Sequence, residues 1–482
     1  MLWPGTEPHR GTVLDGRLEN TSTGSDHSRE VEGRPGGSAF VRTRSLLAVL
    51  LGLATLAAAC GSDSDTGSTA AETATTEPAA PADGDGSATP ADTTPSQVGE
   101  FRSPTGSDGT HLAPLNPDAD ASPFAVERIA STEREDVPSA LRGSRTDPAF
   151  PDALIPLDRI LSGGPPPDGI PPLDEPTFQS AESVGWLTPV EPVIVLEIDG
   201  DARAYPVQIM TWHEIVNDVV GGVPVTVAYC PLCNSALAYD RRLGDRILDF
   251  GTSGELFNSS LIMYDRQTES LWTHFDSRAV VGHLTGERLE TFSIQTTSWQ
   301  NFRDANPDGL VLSRITGFTR DYGRNPYAGY DNPDGVAFLF DGEADPRLSI
   351  KERVIVVRDD DEPAVAVQLE DVFLEGVVPF TAHGRDLVAV VQPGTSSPLD
   401  GQLVELGYDQ GAAAVFEAEL DGEPIDLTRT DAGFTDAVSG RTFDVFGDAT
   451  DGSGVALTPV EHLDTFWFAI AAFEPDATVW SR

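Results

Sequence analysis

Two of the chain's three cysteines fall in one short stretch, Tyr229-Cys230-Pro231-Leu232-Cys233-Asn234, and a Trp212-His213-Glu214 cluster lies just upstream. Two sulfurs separated by two residues serve three chemistries: ligation of a soft metal, thiol–disulfide exchange, or a small structural disulfide. For a metal, Cys230 and Cys233 supply two thiolates, and His213, His274 or His283 completes a trigonal or tetrahedral set for copper or zinc. No second Cys-x-x-Cys exists, so a closed four-cysteine zinc site is excluded, and ligand type favours copper over zinc. For redox, the strand-like run 223–229 entering the pair is similar to thioredoxin. The following segment, 237–250, reads as strand, turn, strand, so the helix that would lower a redox cysteine's pKa is not expected. For a disulfide, an oxidising compartment suffices. The residues alone leave all three open.

Around the pair, Arg203, Glu214, Asp218 and Asp265 could close a polar pocket, with Tyr229, Arg266 and Trp272 beside it. The plainer expectation makes Asp265 and Arg266 an ion pair at a strand end. Trp212, Trp272, Trp299 and Trp467 are assigned mostly to cores. His213 is placed on a short helix running to Val219, where a histidine serves as a hydrogen-bonded core residue as often as a ligand. No phosphate-binding loop, Gly-x-Ser-x-Gly elbow or His-Glu-x-x-His pair occurs, which argues against several hydrolase and nucleotide chemistries.

The elements that must position these residues come late in the chain. Residues 1–40 are polar and without periodicity, and are expected to be a gene-start leader ahead of a true initiator at Val41. Residues 41–59 read as an export signal: Arg42 and Arg44, an apolar run too short to anchor in a bilayer, then small residues up to Cys60. That ending resembles a bacterial lipoprotein signal, with Cys60 the lipidated first residue of the mature protein, although Leu56 stands one place farther from it than is usual. Residues 60–99 lack aromatic and basic residues and read as a flexible tether. Residues 100–180, rich in proline and glycine, are expected to wrap the body with few regular elements.

The formal net charge is −46, and the acidic excess lies wholly beyond Cys60. Such a surface repels nucleic acid and anionic headgroups, so neither is an expected partner. Lys351 is the only lysine, a bias that fits a GC-rich genome better than any function.

The body carries an internal similarity. Residues 192–207 form a hairpin pattern around Asp199-Gly200, and 353–367 repeat it 161 residues on. Trp272-Thr273 aligns with Phe434-Thr435, and Trp299-x-x-Phe302 before Pro307-Asp308 aligns with Trp467-x-x-Ile470 before Pro475-Asp476, an offset drifting to 168. The second copy holds no thiol or imidazole near Val391-Gln392-Pro393-Gly394, and Asp371-Val372-Phe373 does not reproduce Trp212-His213-Glu214. The chemistry therefore belongs to the first copy.

Several ordered motifs carry a resemblance to a known family. Ala202-Arg203-Ala204-Tyr205-Pro206, the run from Trp212 to Asp218, Tyr229-Cys230-Pro231-Leu232-Cys233, Met263-Tyr264-Asp265-Arg266 and Ser270-Leu271-Trp272 resemble the DUF3179 family of exported proteins. The glycine- and proline-rich run 163–171, Asn325-Pro326-Tyr327-Ala328-Gly329-Tyr330, Lys351 and the terminal Phe466-Trp467-Phe468-Ala469 with Phe473 agree with it, over roughly residues 150–482. The resemblance implies an export-type protein, often a lipoprotein, and carries over no activity. Thr273-His274 stands where that family usually has a small residue and glutamine, so His274 either substitutes for the glutamine or makes it dispensable.

Short β-branched runs and Asp–Gly turns predict an α+β, β-rich body of two tandem related repeats packed as one unit, at 181–350 and 351–482. The functional expectation is an extracytoplasmic lipoprotein on the outer face of the cell membrane. It is held there by lipid on Cys60 and has a Cys/His metal or thiol-redox site in its first repeat. The rival is a non-catalytic binding or scaffold lipoprotein whose cysteines form a structural disulfide. Any small-molecule or protein partner is open.

Overall fold

Short runs of β-branched and aromatic residues, punctuated by glycine and Asp–Gly, favour strands over long helices. The computed structural model describes residues 123–126, 128–129 and 133–481, and it is β-rich, with several sheets and few helices. Each of the four α-helices in this region is seven residues long. The leader, the export signal with Cys60, and the tether lie outside the described residues. The described residues belong to one compact unit.

Along the chain, β1 (Thr177–Ser180) precedes a hairpin of β2 (Pro192–Ile198) and β3 (Asp201–Pro206). That hairpin turns on Asp199 and Gly200, both at positive φ, as a tight two-residue turn requires. Helix α1 (Val207–His213) follows and stops at Glu214, whose φ of 59° leaves the helical region. The helix expected to reach Val219 thus ends six residues early. Ile215, Val216, Val219 and Val220 are β-branched, and they form β4 (Ile215–Val220) instead. β4 pairs with β5 (Val223–Cys230), and β5 with β6 (Ser235–Asp240), all antiparallel. An antiparallel meander comes next: β7 (Phe250–Phe257), β8 (Ser260–Asp265), β9 (Leu271–Thr273) and β10 (Arg278–Val281). Then β11 (Gln295–Ser298) returns antiparallel to β2, α2 (Trp299–Ala305) is capped by the Ser298 hydroxyl, and β12 (Leu310–Leu312) lies parallel to β3.

The later part begins with β13 (Arg353–Val357) and β14 (Val365–Gln368), antiparallel, then α3 (Leu369–Glu375). A three-stranded antiparallel sheet is formed by β15 (Val377–Ala382), β16 (Arg385–Gln392) and β17 (Ala412–Glu417). Finally β18 (Leu463–Phe466) pairs antiparallel with β13, α4 (Trp467–Phe473) follows, and β19 (Thr478–Val479) runs parallel to β14.

One apolar cluster spans both regions: Ile215, Trp272 and Phe275 pack in it with Val354, Val356, Phe466 and Trp467. Trp272, Trp299 and Trp467 are fully buried, as expected, whereas Trp212 is only half-buried. β1 joins the sheet of β2 and β3, so the regular body starts before residue 181. Ahead of it, the chain from residue 133 crosses the meander with few regular elements. It is held by Leu141 N to Glu269 O (3.2 Å), Leu154 N to Val280 O (2.9 Å) and Gly163 N to Gly254 O (2.8 Å).

Candidate functional site

The cysteine loop is the turn between β5 and β6. Cys230 ends β5 and pairs in register with Ser235, the first residue of β6, so residues 231–234 must reverse the chain. Pro231 lacks the N–H that would extend the strand, and Asn234 takes a φ of 50°, a conformation asparagine tolerates. Strand, tight turn, strand leaves no helix N-terminus at the sulfurs. Both cysteines are free thiols, 1% and 0% exposed. The loop is fixed from the later part of the chain: the Cys233 carbonyl accepts from Phe466 N (3.0 Å) and Thr465 Oγ1 (2.9 Å), and the Leu232 carbonyl from the Tyr330 hydroxyl (3.0 Å).

A polar chain leads away from Cys233. Its sulfur lies 3.0 Å from Ser235 Oγ and 3.6 Å from Ser260 Oγ, and Ser235 Oγ lies 3.0 Å from His274 Nε2. On the far side of the ring, His274 Nδ1 is 3.1 Å from the Tyr239 hydroxyl, which donates its own proton to the His274 carbonyl. With the ring proton on Nε2, His274 donates to Ser235 Oγ, which leaves the single Ser235 proton for the Cys233 sulfur, and Nδ1 shares the Tyr239 proton with the His274 carbonyl. Burial drives the Cys233 thiol up, but hydrogen bonds from Cys230, Ser235 and Ser260 outweigh it, and Cys233 ends below an ordinary thiol. Cys230 moves well above, through burial and through donating to Cys233. Burial pushes His274 down to about 3, so its ring is neutral.

On the Cys230 side stands Glu214. Burial holds its carboxyl well above the usual range, the nearby Cys230 adds to this, and the Tyr327 hydroxyl donates to its Oε1 at 3.4 Å. Glu214 lines a small cavity of about 40 Å³, whose other walls include Leu232, Leu261, Tyr327, Phe338 and Ile170. The glycine- and proline-rich segment forms its outer wall, tied by Thr252 Oγ1 to Ile170 O and by Asp168 N to Thr252 O, both 2.8 Å.

Other expected site residues lie elsewhere. His213 Nδ1 sits 2.7 Å from Pro171 O and Nε2 sits 2.6 Å from the Tyr322 hydroxyl, so both ring nitrogens are engaged away from the sulfurs. His283 is half-buried in the turn after β10, where its charge interacts with the Glu135 carboxylate. Arg203 Nη1 pairs with Asp218 (2.8 Å) and its Nη2 with Asp201 (2.7 Å), while Tyr205 donates to Asp218 (2.6 Å): a buried ion cluster linking β3 to β4, apart from the cysteines. Asp265 and Arg266 do not pair with each other. Asp265 accepts from Thr268 N (2.6 Å), Ser270 N (3.1 Å) and Trp272 Nε1 (2.9 Å), which shape the turn into β9. Arg266, the first residue of the turn after β8, instead pairs with Asp168 (3.3 Å) and Asp174 (3.1 Å). Tyr229 donates to Asn234 Oδ1 (2.9 Å) and braces the loop.

Among the described residues no group of three or more His, Cys, Asp or Glu is arranged to hold a metal ion. Of the three candidate histidines, His274 alone reaches a cysteine, through one bridging hydroxyl. Sequence reasoning missed Ser235, Ser260 and Tyr239, which only cross-strand register brings together. It also missed a role for Tyr327, although the Asn325-to-Tyr330 motif was a signal for it.

A family model described as Protein of unknown function (DUF3179) matches residues 167–477, and the chain belongs to that family. Comparison with curated proteins and with solved structures found no match.

Proposed function

We propose that this DUF3179 protein is an extracytoplasmic thiol protein, tethered to the outer face of the cell membrane by lipid on Cys60. In this reading the Cys230–Cys233 pair cycles between dithiol and disulfide. The observation that carries the reading is the polar chain from Cys233 through Ser235 to His274 and Tyr239. A disulfide that only braces a turn has no use for hydroxyls aimed at a sulfur. These groups make the two thiols unequal, with Cys233 the more acidic, as attack followed by resolution requires. With a small disulfide as oxidant, the Cys233 thiolate attacks one of its sulfurs and expels a thiolate, which takes a proton. Cys230 then loses its proton and attacks the Cys233 sulfur, expelling the second thiol. The cysteine pair loses two electrons and the small disulfide gains them. Sulfurs this deeply buried suit a small reagent better than a folded protein partner.

The test is the pH dependence of Cys233 alkylation in a Cys230→Ser background. Adding Ser235→Ala should raise the apparent pKa by about one unit, the loss of one hydrogen bond to a charged sulfur. An unchanged profile would remove the argument for redox. Copper or zinc bound in stoichiometric amount under reducing conditions, and lost from Cys230→Ser/Cys233→Ser, would replace the redox reading with a soft-metal site. A disulfide that small thiols never reduce, and whose loss costs only stability, would leave the scaffold reading. Mass spectrometry of the mature N-terminus tests the tether.

We also read the body as two tandem related repeats. What supports this is the order of elements. A hairpin (β2–β3 or β13–β14) is followed by a short helix (α1 or α3) and three antiparallel strands (β4–β6 or β15–β17). Later a strand pairs antiparallel with the first hairpin strand, a Trp-headed helix follows, and a short strand runs parallel to the second.

A further inference from the structure

The thiol reading needs a way in, because both sulfurs are closed to solvent. The cysteine turn is framed by β5, β6 and β18, whose strands are paired. One cover over it is of another kind. Residues 334–349 lie in no strand or helix, and their ends meet. Ser349 Oγ donates to Asp334 Oδ1 at 3.0 Å, and just outside them Lys351 N donates to Pro333 O at 2.9 Å. A surface loop closed at its neck in this way is an Ω-loop, able to move as one piece. Its inner side is apolar: Ala337 is buried, and Phe338, Leu339 and Phe340 pack against the cluster that contains Cys230, Leu232 and Cys233. Its crest is exposed, with Val336 standing 75% open to solvent.

Side chains hold the loop on its seat. The Tyr330 hydroxyl donates to Leu232 O (3.0 Å) and accepts from Phe338 N (3.2 Å), so one oxygen ties the loop to the cysteine turn. Farther along, Arg159 pairs with Asp341 at 2.9 Å, and Trp467 Nε1 donates to Asp345 O at 3.3 Å. Phe338 forms part of the wall of the small cavity beside the cysteine turn, so the loop covers a void there. Leu339 holds a φ of 51°, a conformation that leucine keeps only under constraint. Lifting the loop releases that constraint and breaks no strand pairing.

We propose that residues 334–349 are a lid, latched by the Tyr330 hydroxyl, whose opening admits a small reagent to Cys230 and Cys233. The lid rests on the thiol reading for its purpose, but its movement is measured without redox chemistry.

The experiment follows iodoacetamide labelling of the reduced protein, beside amide exchange of residues 334–349 read by mass spectrometry. Labelling should change little in low urea, since a local opening exposes little surface, and should keep pace with exchange of the loop. Tyr330→Phe should speed labelling and loop exchange together by about tenfold, the worth of the lost hydrogen bonds. Ala337→Asp puts a charge under the loop without touching the cysteine turn, and should speed both at least as much. Asp341→Ala should speed both about twofold, as loss of an exposed ion pair does. If a variant does not fold, the urea slope of the parent carries the test. A labelling slope equal to that of global unfolding, loop exchange slower than labelling, or labelling unmoved by both Tyr330→Phe and Ala337→Asp would each overturn the lid. A loop that opens as described over thiols that no small disulfide oxidises would overturn the thiol reading and leave the movement standing.

Discussion

Two helix ends, one in each half of the body, differ by one residue type. Helix α1 closes at Glu214 with φ 59° and ψ −30°, and α3 closes at Gly376 with φ 85° and ψ −37°. In both, the closing N–H bonds back four residues at 2.7 Å, to Met210 O and to Val372 O. The later region uses the residue that adopts positive φ without cost, and the earlier one accepts a strained, buried glutamate. Likewise, β5 and β6 are joined by the four-residue cysteine turn, while β16 and β17 are joined by residues 393–411. The chain is therefore relaxed at Gly376 and strained at Glu214, the helix end that stands beside the two thiols.

The widest test of that contrast is the shared core. Trp467→Ala, in the supporting region, should cost ~3–5 kcal/mol, as large-to-small core substitutions do. Because Phe466 and Thr465 hold the Cys233 carbonyl, thiol labelling should accelerate along with the fall in denaturation midpoint. Labelling that stays slow would make the earlier region self-sufficient.

Next in size is acid. Burial lowers His213 and His274 from 6.5 to about 3. Between those values the unfolded chain binds the extra protons, so their contribution is complete above pH 6.5 and is lost as pH falls toward 3. Urea titrations over this range should show a shallower fall for His274→Gln than for the parent. Parallel curves would mean His274 already titrates normally in the fold.

Smaller is the effect of easing the strained helix end. Glu214→Gly should stabilise at neutral pH by ~1–2 kcal/mol, by relieving backbone strain and removing a buried carboxyl. A destabilised Glu214→Gly would show that the two helix ends are not equivalent. Smallest is Thr465→Val, which removes one of two donors to the Cys233 carbonyl and should cost ~1 kcal/mol by thermal melting.

Much of the scaffold was legible because it is local. The Asp199-Gly200 turn, the β-branched runs and the missing helix after Cys233 follow from residue type within a few positions. The site was legible only in part. Cys230 and Cys233 announce themselves, and His274 was one of three candidate histidines. Its selection over His213 and His283 depends on the register between β5, β6 and the meander, which no local pattern encodes. The end of α1 at Glu214 was missed because glutamate is an ordinary helix former, and tertiary packing imposes its positive φ. Asp265 and Arg266 read as a pair by adjacency, yet Asp265 is taken up by the turn through Thr268, Ser270 and Trp272, and Arg266 by Asp168 and Asp174.

The bonds from Thr465 and Phe466 to the Cys233 carbonyl join residues 232 and 233 positions apart in a chain of 482. During folding, the cysteine turn can form its own hairpin early, but its fastening to residues 465 and 466 needs the later part of the chain. Such a non-local contact forms late in folding. The thiols thus pass through a long interval in which they are accessible before they are enclosed. Any oxidant present meets them first as an open pair, so their redox state on closure records the conditions under which the chain folded.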